Sequence, residues 1–168
     1  MRPRPTETEL DELDCMRVSG EFTVAAPRSA VFDTLRDASA FAKFVDGVQD
    51  LKQIDPTHFA AIFETRIAYM KFRFAVTVEL TRIDAPNVIE TKIEGNSIGV
   101  IGRLTAKSTT TLTNVGDETK VIYVVESTLS GKLGSIGQPV LRAKAKEMQK
   151  TFADRLQAAF AQPAERAR

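Results

Sequence analysis

Between residues 48 and 129, apolar and polar side chains alternate with a period of two almost without a break. The cleanest run is KFRFAVTVELTRI (71–83). Phe72, Phe74, Val76, Val78 and Leu80 share one face there, with Arg73, Thr77 and Glu79 opposite. Such alternation predicts strands with one face buried and the other wet. The pattern recurs in VQDLKQID (48–55), HFAAIFETRIAYM (58–70), NVIETKIEG (87–95), GRLTAKSTTTLTN (102–114) and KVIYVVESTLS (120–130). Asp55-Pro56, Ala85-Pro86-Asn87 and Asn114-Val-Gly-Asp117 supply turn residues between these runs. Six sequential strands with short links make an antiparallel meander.

Ahead of the meander, RVSGEFTVAA (17–26) reads as a further strand. PRSAVFDTLRDASAFAKFVDG (27–47) then changes period. Val31, Phe32 and Leu35 fall on one helical face, and Phe41, Phe44 and Val45 on another, which predicts two short helices. Pro27 suits a helix start, Gly47 a position past a helix end, and Asp37 or Ser39 a cap. After the meander, Leu141, Ala145, Met148, Phe152, Leu156 and Ala159 recur at spacings of three and four, which predicts a helix over 139–160. It is the one long helix in the pattern, so it has to cover the apolar face of the sheet. The expected class is α+β: a curved seven-stranded antiparallel sheet wrapped around a long C-terminal helix, with two short helices between strands one and two. Residues 17–161 form the single domain, 1–16 an N-terminal tail and 162–168 a C-terminal tail.

The stretch GKLGSIG (131–137) joins the last strand to that helix. Its GxxGxxG spacing is neither GxxxxGK[ST] nor GxGxxG, and no strand follows the helix, so a phosphate cradle is not expected. Gly131, Gly134 and Gly137 instead let the chain leave the sheet and turn, and they form a candidate gate to the space beneath the helix.

Composition narrows the chemistry. In 168 residues, Lys and Arg number 23 against 22 Asp and Glu, so overall charge gives no pull toward nucleic acid. A lone cysteine, Cys15, makes no internal disulfide and suits a reducing compartment. No apolar run approaches a membrane span, and MRPRPTETELDELDC lacks the apolar centre of a signal peptide, so a cytoplasmic protein is expected. Catalytic groups are scarce. His58, the one histidine, follows a Pro-Thr turn as an exposed strand-start residue, and with Cys15 alone it cannot complete a zinc site. Asp46 and Asp50 flank Gly47 and need not share a face; Glu64 and Arg66 alternate outward as a solvated pair. Arg142, Lys146 and Lys150 form a cationic stripe on the long helix, a candidate contact for an anionic membrane surface or an acidic partner.

The inward faces mix large apolar groups with Ala61, Thr65, Thr91, Ala106, Ser108, Thr110 and Ser127. Tight packing favours larger side chains, because unfilled volume costs about 24 cal/mol per Å³. Small inward residues leave room for a ligand, which Tyr123 and the threonines could orient; equally, these hydroxyls can satisfy one another or buried water. Candidate cavity residues are Phe63, Thr65, Val76, Leu104, Ala106, Ser108, Tyr123, Val125 and Met148. Phe41, Phe44, Met70, Phe72, Phe74, Ile136 and Val140 stand nearer its mouth.

The order of elements resembles the helix-grip arrangement of the START-like (SRPBCC) superfamily, and within it the G-subunit family of carbon monoxide dehydrogenase. The likeness is carried by GEFTVAAPRSAVFDTLRD (20–37), VTVELTRIDAP (76–86), GDETKVIYVVESTLSGKLGSIGQPVL (116–141) and the distal helix to Phe160. The family's Pro-Gly signature after the second small helix is reduced here to Gly47 in VDGVQD (45–50). Some members continue into a hydrophobic membrane anchor, which this sequence to Arg168 does not imply. The resemblance implies a ligand cavity between sheet and helix, no covalent cofactor, a lipophilic quinone-like or isoprenoid cargo, and a molybdenum-containing dehydrogenase as partner. It also leaves open a superfamily-type cyclase or hydrolase using Tyr123, and a ligand-free assembly factor.

Overall fold

The computed structural model describes residues 15–99, 102–131 and 136–166. Gly134 and residues 1–14 lie outside these. The chain runs β1 (Cys15–Val24), α1 (Arg28–Arg36), α2 (Ala38–Ala42), β2 (Val48–Asp55), β3 (His58–Ile67), β4 (Met70–Asp84), β5 (Val88–Ser97), β6 (Gly102–Val115), β7 (Glu118–Gly131) and α3 (Gln138–Arg166). All strands join one antiparallel sheet in the order β1-β7-β6-β5-β4-β3-β2. This is the predicted class, with β1 starting two residues early at Cys15, so that the expected N-terminal tail loses its last residues to the sheet.

That order explains the two short helices. β1 lies at one edge of the sheet and β2 at the other, so the link between them must cross the sheet's width. Along the way α1 buries Val31, Phe32 and Leu35 against the ends of β6 and β7. Asp37 ends α1 and caps α2, its Oδ1 accepting from the backbone N–H groups of Ser39 (2.9 Å) and Ala40 (3.4 Å). Entry into β2 depends on Gly47. Its φ is +92°, its carbonyl accepts from the Glu64 N–H at 2.9 Å, and a Cβ there would collide with the Glu64 carbonyl oxygen.

Strand alternation directs Met16, Val18, Gly20, Phe22 and Val24 inward on β1, opposite Ser127, Val125, Tyr123, Val121 and Thr119 on β7. Register shifts in β2 around Asp50 (φ +52°) and in β4 between Leu80 and Arg82 mark bulges, which bend strands and sharpen their twist. The sheet accordingly curves round α3.

On α3 the inward line is Leu141, Ala145, Gln149, Phe152, Leu156 and Phe160. The predicted line through Met148 and Ala159 is corrected here: both are exposed, Met148 at 37%. Steps of four from Leu141 and Ala145 lead to Gln149, whose polarity hid it from a reading by hydrophobicity. The helix also extends to Arg166, past the predicted end at 160 and through most of the segment expected to be a tail. Glu64 pairs with Lys71 (3.5 Å) and Arg73 (3.3 Å) rather than with Arg66; Arg73 is its cross-strand partner and Lys71 the diagonal one.

Two apolar clusters hold α3 to the sheet. One joins Val24, Phe32, Phe44, Leu112, Val121 and Leu156, with Phe152 and Phe160 against it. The other joins Met16, Ile67, Phe72, Phe74, Leu129 and Leu141, with Ile136 and Ala145. Polar fastenings sit outside them: Arg155 to Asp46 (2.8 Å), the Gln157 amide to the Thr23 carbonyl (2.8 Å), and Arg142 to the Arg17 carbonyl (3.3 Å).

Leu156 is fully buried, so Leu156→Ala should lower unfolding free energy by about 2–5 kcal/mol in urea titration. Met148→Ala should stay within about 1 kcal/mol; equal losses at both positions would place the buried line elsewhere.

Candidate functional site

Between the two clusters lies a band that belongs to neither. From the sheet it takes Gly20, Tyr123, Val125, Ala106, Ser108, Thr110, Thr91, Ile93, Val78 and Ala61; from the helix, Gln149. Most are half-buried although they sit on the inward face of central strands. The backbone of α3 comes nearest to β1 and β3 and approaches the strands between them less closely. The helix therefore bridges the hollow of the sheet, and small and hydroxylated side chains lie under its middle.

Tyr123 shapes one side of this band. It faces Gly20 across β1–β7, and a Cβ on Gly20 would lie 2.8 Å from the phenol Cζ. The ring thus lies over the glycine, tilted against Phe22 with centroids 6.2 Å apart. Burial pushes the Tyr123 hydroxyl above the ordinary phenol range, while the side chain of Gln149 pulls it partly back. The phenol is therefore neutral near pH 7. Gln149 faces this hydroxyl, yet its Nε2 is shut away from solvent and makes no hydrogen bond of normal geometry. Ser97 Oγ, inward on β5 opposite Phe74, is likewise unpaired. A buried polar atom left unmatched costs about 1–3 kcal/mol. Other hydroxyls are satisfied internally: Thr91 pairs with Ser108, and Ser127 Oγ donates to the Met16 carbonyl at 3.3 Å.

The predicted cavity residues divide accordingly. Ala106, Ser108, Tyr123 and Val125 line the band. Phe63, Phe72, Phe74, Val76, Leu104 and Ile136 belong to the cluster at the N-terminal end of α3, with Thr65 opposite Phe72. Phe44 belongs to the other cluster and meets Phe152 edge-on at 5.8 Å. Phe41 is exposed on one side but packs on Phe152 at 5.0 Å. Met70 and Val140 are exposed at the sheet end where α3 begins, and Met148 is exposed on the helix. Gly131 (φ +68°) and Gly137 (φ +105°) flank the crossing into α3 in conformations that L side chains rarely adopt. Gln149, Ser97 and Gly20 were missed. A glutamine in an apolar helical line and a glycine opposite an aromatic residue were the available signals. Two surface pockets lie apart from the band: one between Asp33, Arg36, Leu51 and Phe59, the other on the convex face around Ala60, Ile62, Ala75 and Thr77.

Charged groups stay outside. Lys150 is held by Asp154 at 2.8 Å, which raises its pKa, and Arg142 and Lys146 are exposed. His58 lies 2.9 Å from Asp55 and 3.7 Å from Glu79 on the surface. Among the described residues no group of three His, Cys, Asp or Glu could hold a metal, and no helix is long and apolar enough to cross a membrane.

A long helix gripped by a curved seven-stranded sheet, with two small helices after the first strand, defines a START-like helix-grip protein. Among solved structures, a conserved protein from Geobacillus kaustophilus superposes with TM-score 0.80 at 24% identity, covering 88% of this chain and 96% of that one. A START superfamily protein from Mycobacterium smegmatis gives 0.67 at 14%, covering 87% and 97%. A protein from Thermus thermophilus gives 0.59 at 16%, covering 86% and 99%. At these identities the likeness carries the fold. The chain belongs to the carbon monoxide dehydrogenase G-subunit (CoxG) family, whose model matches residues 20–161. No curated protein matches it. Family and fold together place it among binding or accessory proteins.

His58 should titrate above the ordinary imidazole value, raised first by its hydrogen bond to Asp55. Its stabilising contribution is full below that ordinary value and is lost as pH rises through the raised one. A proton NMR titration of this single histidine, repeated in Asp55→Asn, should show the pKa fall back; no change would mean that the pair does not persist in solution. Gly20→Ala should displace the Tyr123 ring and shift its aromatic resonances with little change in Tm, because the added methyl takes space held by the movable end of the phenol rather than by backbone.

Proposed function

We propose that the chain is a non-enzymatic carrier of a lipophilic small molecule, quinone-like or isoprenoid, held in a slot between sheet and helix. It would serve as accessory to a molybdenum-containing dehydrogenase of the carbon monoxide dehydrogenase type. The observation that carries this reading is the band itself. Apolar clusters close both ends, small residues line the middle, and the unpaired Gln149 Nε2 stands beside the Tyr123 hydroxyl. An apolar chain supplies affinity at about 25 cal/mol per Å² buried, less the cost of ordering it. A carbonyl oxygen accepting from Gln149 and Tyr123 would satisfy both groups and set the orientation. The family's description names carbon monoxide dehydrogenase, which supports the partner. The helix stripe of Arg142, Lys146 and Lys150 offers such an enzyme an electrostatic contact.

A cyclase or hydrolase reading is less well supported. Among the described residues the band contains no carboxylate, imidazole or thiol, and its one titratable group, Tyr123, is held as a neutral phenol. A ligand-free assembly factor would leave the Gln149 amide without a role.

Organic extraction of natively purified protein, followed by mass spectrometry, should release a stoichiometric quinone or isoprenoid. Emptied protein should show a thermal upshift with added ubiquinone or menaquinone. Ser108→Phe, which fills the slot, should abolish that shift while the apo-protein keeps its Tm. Gln149→Leu and Tyr123→Phe should each weaken binding by roughly three- to tenfold, the worth of one hydrogen bond. An empty extract and an unmoved Tm would remove the quinone reading, and turnover lost in Tyr123→Phe would establish an enzyme.

A further inference from the structure

Two side chains of α3 reach the edge strand β1. The Arg142 guanidinium donates to the Arg17 carbonyl at 3.3 Å, and the Gln157 amide to the Thr23 carbonyl at 2.8 Å. β1 and α3 therefore run side by side in the same direction, and this flank of the helix borders the outer edge of the sheet. Lys146, one turn on from Arg142, falls between Arg142 and Gln157 around the helix. Arg17, Arg142 and Lys146 are all exposed, and among the described residues none of them pairs with a carboxylate. The acids close to them in sequence are engaged elsewhere: Glu21 with Lys120 (3.2 Å), Glu147 with Lys144 (3.1 Å) and Asp154 with Lys150 (2.8 Å).

The segment that leads into this border has the opposite sign. Residues 7–14, ETELDELD, hold Glu7, Glu9, Asp11, Glu12 and Asp14 and no cation, with Arg2 and Arg4 further out. They lie outside the described residues and join β1 at Cys15, two positions before the carbonyl that Arg142 touches.

We propose that residues 7–14 dock along this border as a built-in acidic shield, their carboxylates meeting Arg17, Arg142 and Lys146 and withholding them from an acidic partner. Position, sign and length choose this occupant. Eight residues span roughly 26 Å when extended, whereas α3 rises about 12 Å from Arg142 to Lys150. The segment can therefore double back over the cations. Its attachment at Cys15 holds the carboxylates near at an effective concentration on the order of mM, which an untethered acidic molecule has to outcompete. Exposed ion pairs are individually weak and salt-sensitive, so the contact is reversible. The docking does not depend on what lies between sheet and helix. Its use rests on the reading of the Arg142-Lys146-Lys150 stripe as a partner contact: a stronger acidic surface would displace the segment and take its place.

The test uses the full chain. Cys15 is its one cysteine, so Cys15→Ser with Leu10→Cys places a single nitroxide label within the segment. Amide NMR signals should broaden selectively at residues 17–19 and 142–150. The broadening should vanish in about 1 M salt, where charges are screened within about 3 Å. It should also vanish in Arg142→Glu combined with Lys146→Glu, with Tm unchanged, since both side chains are exposed. Poly-L-glutamate serves as the acidic probe. It should bind about fivefold more tightly once Glu7, Glu9 and Glu12 are changed to Gln and Asp11 to Asn, the worth of roughly two exposed pairs. Three results would overturn the proposal: no broadening on α3, broadening only when label and isotope sit on different copies, which would make a second copy the occupant, or a poly-L-glutamate affinity unmoved by the neutralised segment. None of these readouts involves a bound quinone, so failure here leaves the carrier reading standing.

Discussion

A straight helix laid across a curved sheet cannot touch it evenly. The sheet bends because β2 and β4 carry bulges and because twist accumulates over seven strands, while α3 is one uninterrupted helix of 29 residues. Contact is therefore made at two shoulders, one with Leu156 among the α1 and α2 side chains, the other with Leu141 among the β3–β4 phenylalanines. What lies between is set by geometry before any side chain is chosen. The side chains then decide how the interval is filled, and here they are small, hydroxylated or amide-bearing.

An apolar filling would take little. Larger aliphatic groups at Ala61, Ala106 and Ser108 would extend the two clusters into one, a common way for natural sequences to gain stability. Instead the interval holds hydroxyls, a phenol laid over a glycine and a glutamine without a complete set of partners. Each costs something that a continuous apolar core would not. Burial that raises the pKa of the Tyr123 phenol keeps its proton in place.

Strands, turns and helix order were legible because alternation is a direct print of one-sided burial, and six strands of it leave few arrangements. Asp37 as cap and Gly47 as the turn into β2 were legible for the same local reasons. The interior was read less well. Hydrophobicity chose Met148 for the helix line, whereas the geometry of α3 takes Gln149 one residue on. Gly20 carried no sign of its role until the register placed Tyr123 across from it. Ser97 looked like any strand-end serine. Site residues were hidden where they broke the pattern that revealed the fold, as expected if a site is the place where local rules are overridden.

The two fastenings of α3 are unequal. Its C-terminal half is held by the Arg155–Asp46 ion pair, the Gln157–Thr23 hydrogen bond and the aromatic contacts of Phe152 with Phe41 and Phe44. Its N-terminal end packs through Ile136, Leu141 and Ala145, with Arg142 reaching the Arg17 carbonyl, directly after a crossing flanked by Gly131 and Gly137. A rod clamped at one end and resting at the other moves as a lever. Swinging its N-terminal end about Leu156 would break the fewest of the contacts named here and would widen the β7–α3 side.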